Sequence, residues 1–233
     1  MLKIIILAGG LGKRMNLEIS KVLHLVGGKP LILRILGECY KLNPSMIYVV
    51  VGKYENDIKN IVNEHYNNIL YIRQEVPLGT GDAIKCCLPY INADDNVLIL
   101  NGDMPLIDKD ILDLFISNSP NAIGSTEYEN PRGYGRIIQK DGRVYNIEEK
   151  NSSEEERICK HVNAGIYYFK GIELQNKVPL IVKNELVGEY YITDLIEMIQ
   201  PKVINIPIEI NFKLLGVNNL TELDVVNKII NGK

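Results

Sequence analysis

Four short apolar runs punctuate the first half of the chain: Leu2–Leu7 (LKIIIL), Met46–Val51 (MIYVVV), Ile69–Ile72 (ILYI) and Val97–Leu100 (VLIL). Each is too short for a buried helix and reads as a buried strand. Between them apolar residues recur at helical spacing. Leu31, Ile32, Ile35 and Leu36 follow Pro30, which the pattern places in a first helical turn; Ile58, Ile61 and Val62 share one face of Tyr54–His65. Gly81–Leu88 begins another helix, and Asp108 is positioned to cap a helix over Lys109–Ile116. Strands alternating with helices at this spacing predict a parallel or mostly parallel sheet covered on both faces. Ligands in such sheets bind outside the carboxyl ends of the strands, so the loops after Leu7, Ile72 and Leu100 become the candidate site.

The pattern changes after about Asn121. Arg136–Gln139 and Arg143–Ile147 flank Asp141-Gly142, a strong hairpin signal, and Val162–Phe169 reads as a further strand. Glu154–Arg157 reads as a solvated loop or helix face. Glu189–Ile199 reads as a helix stopped at Pro201, and Asn218–Ile230 as a closing helix. The expected organisation is one domain over residues 1–233: a nucleotide part over 1–120, an inserted lobe over 121–217 and a C-terminal helix over 218–233.

With 233 residues, 46% of them hydrophobic, the chain can bury one sizeable core. A net charge of -3 argues against sequence-independent nucleic-acid binding, which needs a broad basic face, so anionic substrates must be drawn by local groups. Cys39, Cys86, Cys87 and Cys159 show no metal-ligand spacing, which points to a reducing compartment. No run approaches the roughly 20 apolar residues of a membrane helix. The expectation is a cytoplasmic protein with no membrane partner.

The first loop carries the most chemistry. Leu7–Lys21 reads LAGGLGKRMNLEISK, and glycines at 9, 10 and 12 allow close backbone approach and a nest of N–H groups for an anion. Arg14 and Lys21 add positive charge, one as a fork and the other as a mobile point charge. It is not a P-loop, because Gly12-Lys13 is followed by Arg14, and not a dinucleotide fingerprint, because Met15 stands where the last glycine belongs.

LAGGLGKRM followed by Lys21 resembles the signature of the sugar-nucleotide pyrophosphorylases and, more loosely, the loop of molybdenum-cofactor guanylyltransferases. Further segments match in order along nearly the whole chain: Gln74 with Leu78-Gly79-Thr80-Gly81, Asn101-Gly102-Asp103-Met104-Pro105-Leu106, Gly133-Tyr134-Gly135-Arg136-Ile137, Glu148-Glu149-Lys150, Asn163-Ala164-Gly165-Ile166, Gly188–Asp194 (GEYYITD) and Gly216–Asn219 (GVNN). Together they are similar to one branch, the N-acetylglucosamine-1-phosphate uridyltransferase half of the bacterial bifunctional enzyme. The resemblance implies an α/β, Rossmann-like fold with a mostly parallel sheet flanked by helices and a small inserted β-rich sugar-binding lobe. It implies that Leu7, Ala8, Gly9, Gly10, Gln74, Gly79 and Thr80 hold the base and ribose of UTP, with Asn101, Gly102 and Asp103 also on the nucleotide. Arg14 and Lys21 would serve its phosphates as the catalytic pair, Asp103 and Asn218 would bind Mg²⁺, and Gly135, Glu148 and Asn163 would hold N-acetylglucosamine 1-phosphate.

Three positions depart from the family pattern: Ser20 where a proline usually precedes Lys21, Asn101 where a tyrosine is usual, and Pro77 where the uridyltransferase typically has a glutamine that helps read the base. No hexapeptide repeat follows, so the acetyltransferase activity of the bifunctional enzyme is not expected. His24, His65 and His161 belong to no nucleophile–base set; a sugar phosphate is already mostly dianionic at neutral pH, so the reaction needs no general base. Three rivals remain: a glucose-1-phosphate uridylyl- or thymidylyltransferase, a molybdopterin guanylyltransferase, which the sugar-lobe segments disfavour, and a catalytically silent nucleotide-sensing or scaffold protein on the same fold.

Overall fold

A computed structural model describes residues 1–10, 12, 19–148 and 152–232, apart from the side chain of Glu155. Strand β1 (Leu2–Leu7) lies at the centre, and its side chains alternate between two cores: Ile4 and Ile6 enter one, Ile5 the other. A short hairpin, β2 (Leu25–Val26) and β3 (Lys29–Pro30), leads into α1 (Leu31–Tyr40). Pro30 therefore precedes the helix in extended conformation (φ -52, ψ 141) and does not sit in its first turn. Then follow β4 (Met46–Val51), α2 (Glu55–Asn63), β5 (Ile69–Arg73), α3 (Thr80–Cys87), β6 (Asn96–Asn101) and α4 (Lys109–Ile116). Asp108 caps α4 as expected, accepting the Ile111 N–H at 3.2 Å.

The second half adds β7 (Ala122–Glu127), the hairpin β8 (Arg136–Lys140) and β9 (Arg143–Ile147), α5 (Glu154–Ile158), β10 (His161–Lys170), α6 (Gly171–Lys177), α7 (Asp194–Ile199), β11 (Lys202–Asn205) and α8 (Leu220–Ile230). The main path of the sheet runs β11-β7-β10-β6-β1-β4-β5, and β8–β9 branch from β10. Along that path β11–β7, β6–β1, β1–β4 and β4–β5 are parallel, whereas β7–β10 and β10–β6 are antiparallel. The α/β class is thus a mostly parallel sheet flanked by helices. The segment after residue 121 continues the same sheet through β7, β10 and β11, and the β8–β9 hairpin is the part that projects from it.

Helices α1, α2 and α4 cover one face through Ile32, Ile35, Ile58, Ile111 and Phe115; α3, α6 and α7 cover the other through Ile84, Leu174 and Ile196. A third, small cluster of Val26, Leu31, Val217 and Val226 pins α8 to the β2–β3 hairpin and so returns the chain end to the strand ends. One helix departs from expectation. Residues 189–193 are not helical, and α7 begins at Asp194 because Gly188–Ile192 is drawn against the start of α3: the Tyr190 N–H donates to Leu78 O at 2.7 Å and its carbonyl accepts from the Gly81 N–H at 2.8 Å. Among the described residues no helix is long and apolar enough to cross a membrane.

Candidate active site

The carboxyl ends of β1, β5 and β6 open on a cleft of about 420 Å³. Leu7, Ala8, Gly9 and Gly10 form one wall, and Gly12, Lys21, Gln74, Gly79, Thr80, Asn101 and Asp103 complete most of the rest. The strand ends are joined by backbone: the Gly102 N–H donates to Leu7 O at 2.9 Å, and the Ala8 N–H to Val50 O at 2.9 Å. Arg14, the other half of the expected phosphate pair, lies outside the described residues.

Gln74 is buried, and its amide is oriented by its neighbours. Both N–H groups are engaged, by Gly79 O at 3.0 Å and Asp82 Oδ2 at 2.8 Å, and Oε1 is turned toward Gly9. A glutamine held this way offers the cleft an acceptor. Gly79 has φ +102, and a β-carbon there would lie 2.4 Å from Tyr190 O, so only glycine permits the turn. Thr80 is tied down as well, its hydroxyl accepting from the Ile192 N–H at 3.0 Å.

Lys21 opens a single turn after the glycine loop. Its ammonium donates to the carboxylate of Asp103 and to Asn218 Oδ1, the latter at 3.0 Å. Two oxygens from chain positions far apart thus converge on one cation. Asp103 follows β6, and its carbonyl accepts from the Val217 N–H at 2.9 Å, which fastens the last loop to the strand end. The closing helix, expected from Asn218, begins at Leu220, and Asn219 caps it by accepting the Glu222 N–H at 2.9 Å. Asn218 instead points its side chain at Lys21 while its N–H binds the Glu222 carboxylate at 2.6 Å. A carboxylate and an amide oxygen converging on one positive charge are a hard-oxygen donor set of the kind that suits Mg²⁺.

Gly135, Glu148 and Asn163 do not line this cleft. They form a neighbouring constellation at β8, β9 and β10. The Asn163 N–H donates to Gly135 O at 2.9 Å. Asn163 Nδ2 donates to Asn146 Oδ1 at 3.0 Å, and Asn146 Nδ2 donates to Glu148 Oε1 at 3.0 Å. The Thr193 hydroxyl donates to the same Glu148 oxygen at 3.0 Å. Beside them Asp194 is pushed up to about 6, first by burial and then by the charges of Glu148 and Glu197. Burial, then Glu189, Glu148 and Asp194, raises the Tyr191 phenol.

Glu189 and Tyr191, which belong to GEYYITD but to which the resemblance assigns no role, line the cleft. Asn146 was not singled out at all; nothing in a polar residue of a hairpin strand marks it. Asn101 lies against β10: a β-carbon on Gly165 (φ +71) would come within 2.6 Å of Asn101 Nδ2. His24 is a packed residue whose buried Nε2 lacks a partner among the described residues, and burial lowers its pKa. His161 pairs with Glu127 at 3.3 Å, away from the cleft. Among the described residues the cleft therefore offers a lysine cation, a glutamine acceptor and two oxygens, from Asp103 and Asn218, converging on one point.

Known proteins resemble this arrangement along the whole chain. The family described as MobA-like NTP transferase domain matches residues 4–185. The "Probable UDP-N-acetylglucosamine pyrophosphorylase" of Acanthamoeba polyphaga mimivirus is 39% identical over 97% of this chain and 91% of its own length. The "Bifunctional protein GlmU" of Neisseria meningitidis serogroup B is 36% identical over 98% of this chain but 51% of its own length, so the chain spans about half of that relative. In structure, a Bacillus anthracis protein assigned as a glucose-1-phosphate thymidylyltransferase, crystallised with sucrose, superimposes with a TM-score of 0.76 at 18% identity, covering 98% of this chain and 95% of that one. That likeness establishes a Rossmann-like fold. With the family match over residues 4–185 and the relative matched nearly end to end, the chain belongs to the MobA-like NTP transferases and is a nucleotidyltransferase.

Proposed function

We propose that this enzyme transfers UMP from UTP to N-acetylglucosamine 1-phosphate, releasing pyrophosphate and forming UDP-N-acetylglucosamine. The observation that carries the reading is the convergence of Lys21, Asp103 and Asn218 beside the Leu7–Gly10 loop, in a chain 39% identical to a relative bearing that activity in its name. The Gln74 acceptor supports a base with a ring N–H, which uracil has and cytosine and adenine lack.

In this reading a phosphate oxygen of the sugar substrate attacks the α-phosphorus of UTP, and the bond to pyrophosphate breaks with its electron pair leaving on the pyrophosphate. The acceptor arrives dianionic, so no side chain need remove a proton. Lys21 and the loop N–H groups stabilise the charge that grows on the leaving group, and Arg14 is proposed to join them. Mg²⁺ held by Asp103 and Asn218 would supply Lewis-acid neutralisation of phosphate oxygens. Gly135, Glu148 and Asn163 hold the sugar. The substrates are small molecules, the partners include neither nucleic acid nor membrane, and the site of action is the cytoplasm.

Pyrophosphate release measured across four nucleoside triphosphates and several sugar 1-phosphates tests the proposal. UTP with N-acetylglucosamine 1-phosphate is expected to give the highest kcat/KM. A second reading, transfer to glucose 1-phosphate with UTP or dTTP, is favoured by Pro77, which lines the cleft; a higher kcat/KM for that pair would replace the first reading. No turnover with any pair would point to a silent nucleotide-binding protein.

A further inference from the structure

Glu148 follows β9 and Asn163 lies in β10, and Asn146 joins them into one unit. Every link has a defined direction. The backbone N–H of Gly165 donates to Asn163 Oδ1 at 2.9 Å, which identifies that atom as oxygen. The Asn163 nitrogen therefore faces Asn146 Oδ1 at 3.0 Å and Tyr167 Oη at 3.1 Å. The Asn146 nitrogen in turn faces Glu148 Oε1, which can only accept while ionised. Turning either amide over would set like groups against each other, so the sequence of donors and acceptors settles both orientations. Thr193 adds a second donor to Glu148 Oε1 from the start of α7.

This accounting determines what remains for a ligand. Asn163 has both amide hydrogens engaged, and Glu148 Oε1 carries two donors. The groups left over are acceptors: Glu148 Oε2 and the second lone pair of Asn163 Oδ1. An acceptor-only face takes sugar hydroxyls or an amide N–H. Glu148 and Asn163 themselves have no donor left for a carboxylate or a second phosphate, and the carboxylates of Glu148 and Asp194 repel one. Gly135 fits the same picture from below, because a β-carbon there would come within 3.2 Å of Asn146 Oδ1.

We propose that Asn146 and Thr193 are positioning residues that hold Glu148 and Asn163 as an acceptor-only face, restricting the enzyme to neutral sugar 1-phosphates and excluding uronic acid 1-phosphates and sugar 1,6-bisphosphates. This rests on the reading of Glu148 and Asn163 as sugar contacts. Steady-state kinetics with the best wild-type sugar 1-phosphate tests it through Thr193→Val, Thr193→Ser and Asn146→Ala.

Thr193→Val is expected to raise the sugar-phosphate KM about 10-fold, the scale of one hydrogen bond to a charged group, with the nucleotide KM within about 2-fold of wild type. Thr193→Ser restores the hydroxyl and brings the sugar KM back to within about 2-fold. Asn146→Ala frees the Asn163 amide to turn and narrows the preference for N-acetylglucosamine 1-phosphate over glucose 1,6-bisphosphate by about 10-fold. Side-chain amide NMR gives a readout without substrate: the Asn163 NH₂ signals, protected from exchange in the wild type, lose protection in Asn146→Ala. Equal rises in both KM values, a Thr193→Ser variant no better than Thr193→Val, or unchanged amide protection would overturn the role. A wild-type enzyme inert toward all sugar 1-phosphates overturns the functional reading and this role with it. An active enzyme with indifferent variants overturns the role alone.

Discussion

Along the ends of β1, β5 and β6 the cleft wall is mostly backbone, and close approach is its organising demand: Gly102 abuts Leu7, and Gly79 abuts Tyr190. Around β8–β10 and α7 the wall is made of side chains, each polar group holding another from Gly165 through Asn163 and Asn146 to Glu148 and Thr193. The first kind of wall resists substitution, because a β-carbon on Gly79 or Gly102 would collide with the neighbouring chain. The second kind is open to change, since one substitution alters which donors and acceptors remain.

The difference can be broken most forcefully where Lys21, Asp103 and Asn218 meet on the backbone-built wall. Lys21→Met and Asp103→Ala are each expected to lower kcat by at least about 100-fold, the scale of one preorganised electrostatic donor, measured on purified protein as pyrophosphate release. Near-wild-type kcat in either variant would mean that the backbone nest suffices. Gly79→Ala probes the backbone itself. It is expected to cost about 2 kcal/mol or more, as lowered thermal stability together with a raised nucleotide KM. Gly133→Ala is the control, with φ +90 but open space around it; a smaller loss there separates the Tyr190 clash from the cost of positive φ.

The side-chain wall is sharpened by pH. Asp194 has a folded pKa of about 6, above its unfolded value, so the native state holds its proton more tightly. The stability it contributes is full below about pH 4 and lost as pH rises through about 6. Asp194→Asn stays neutral, so its thermal midpoint is expected to match wild type near pH 4 and exceed it by about 2–4 °C above pH 7, allowing for partial exposure. An equal midpoint at both ends would show that neither burial nor the charges of Glu148 and Glu197 disfavour the ionised Asp194. The smallest effect belongs to Ser20. Its φ of -58 and ψ of 137 are proline-like, and its buried hydroxyl has no partner among the described residues. Ser20→Pro is expected to stabilise by about 0.4–1 kcal/mol, read by denaturant unfolding, with kcat unchanged. A loss instead would mean that the ring does not fit the buried loop.

The backbone-built half was the more legible in sequence. Strands of continuous Ile, Val and Leu ending in glycine announce themselves, and the loops after Leu7, Ile72 and Leu100 do meet at one cleft. Four strands give no signal in sequence: the two-residue β2 and β3, and the edge-side β7 and β11. Ala122–Glu127 (AIGSTE) and Lys202–Asn205 (KVIN) have too few apolar residues to signal a strand, and they owe their place to pairing with β10 and with each other. Residues 189–193 read as helix because their local pattern permits it, yet two backbone hydrogen bonds from Tyr190 to the loop before α3 win.

Local pattern was enough for the α/β alternation, the Asp108 cap and the Asp141-Gly142 hairpin, because each depends on residues within a turn or two of one another. Folding had to settle that Asn218 faces Lys21 while Asn219 caps the helix, and that Asn146 bridges Glu148 and Asn163. Those outcomes depend on which polar groups meet across 15 to nearly 200 residues of chain, and a hydrogen bond's direction is defined only when both partners are in place.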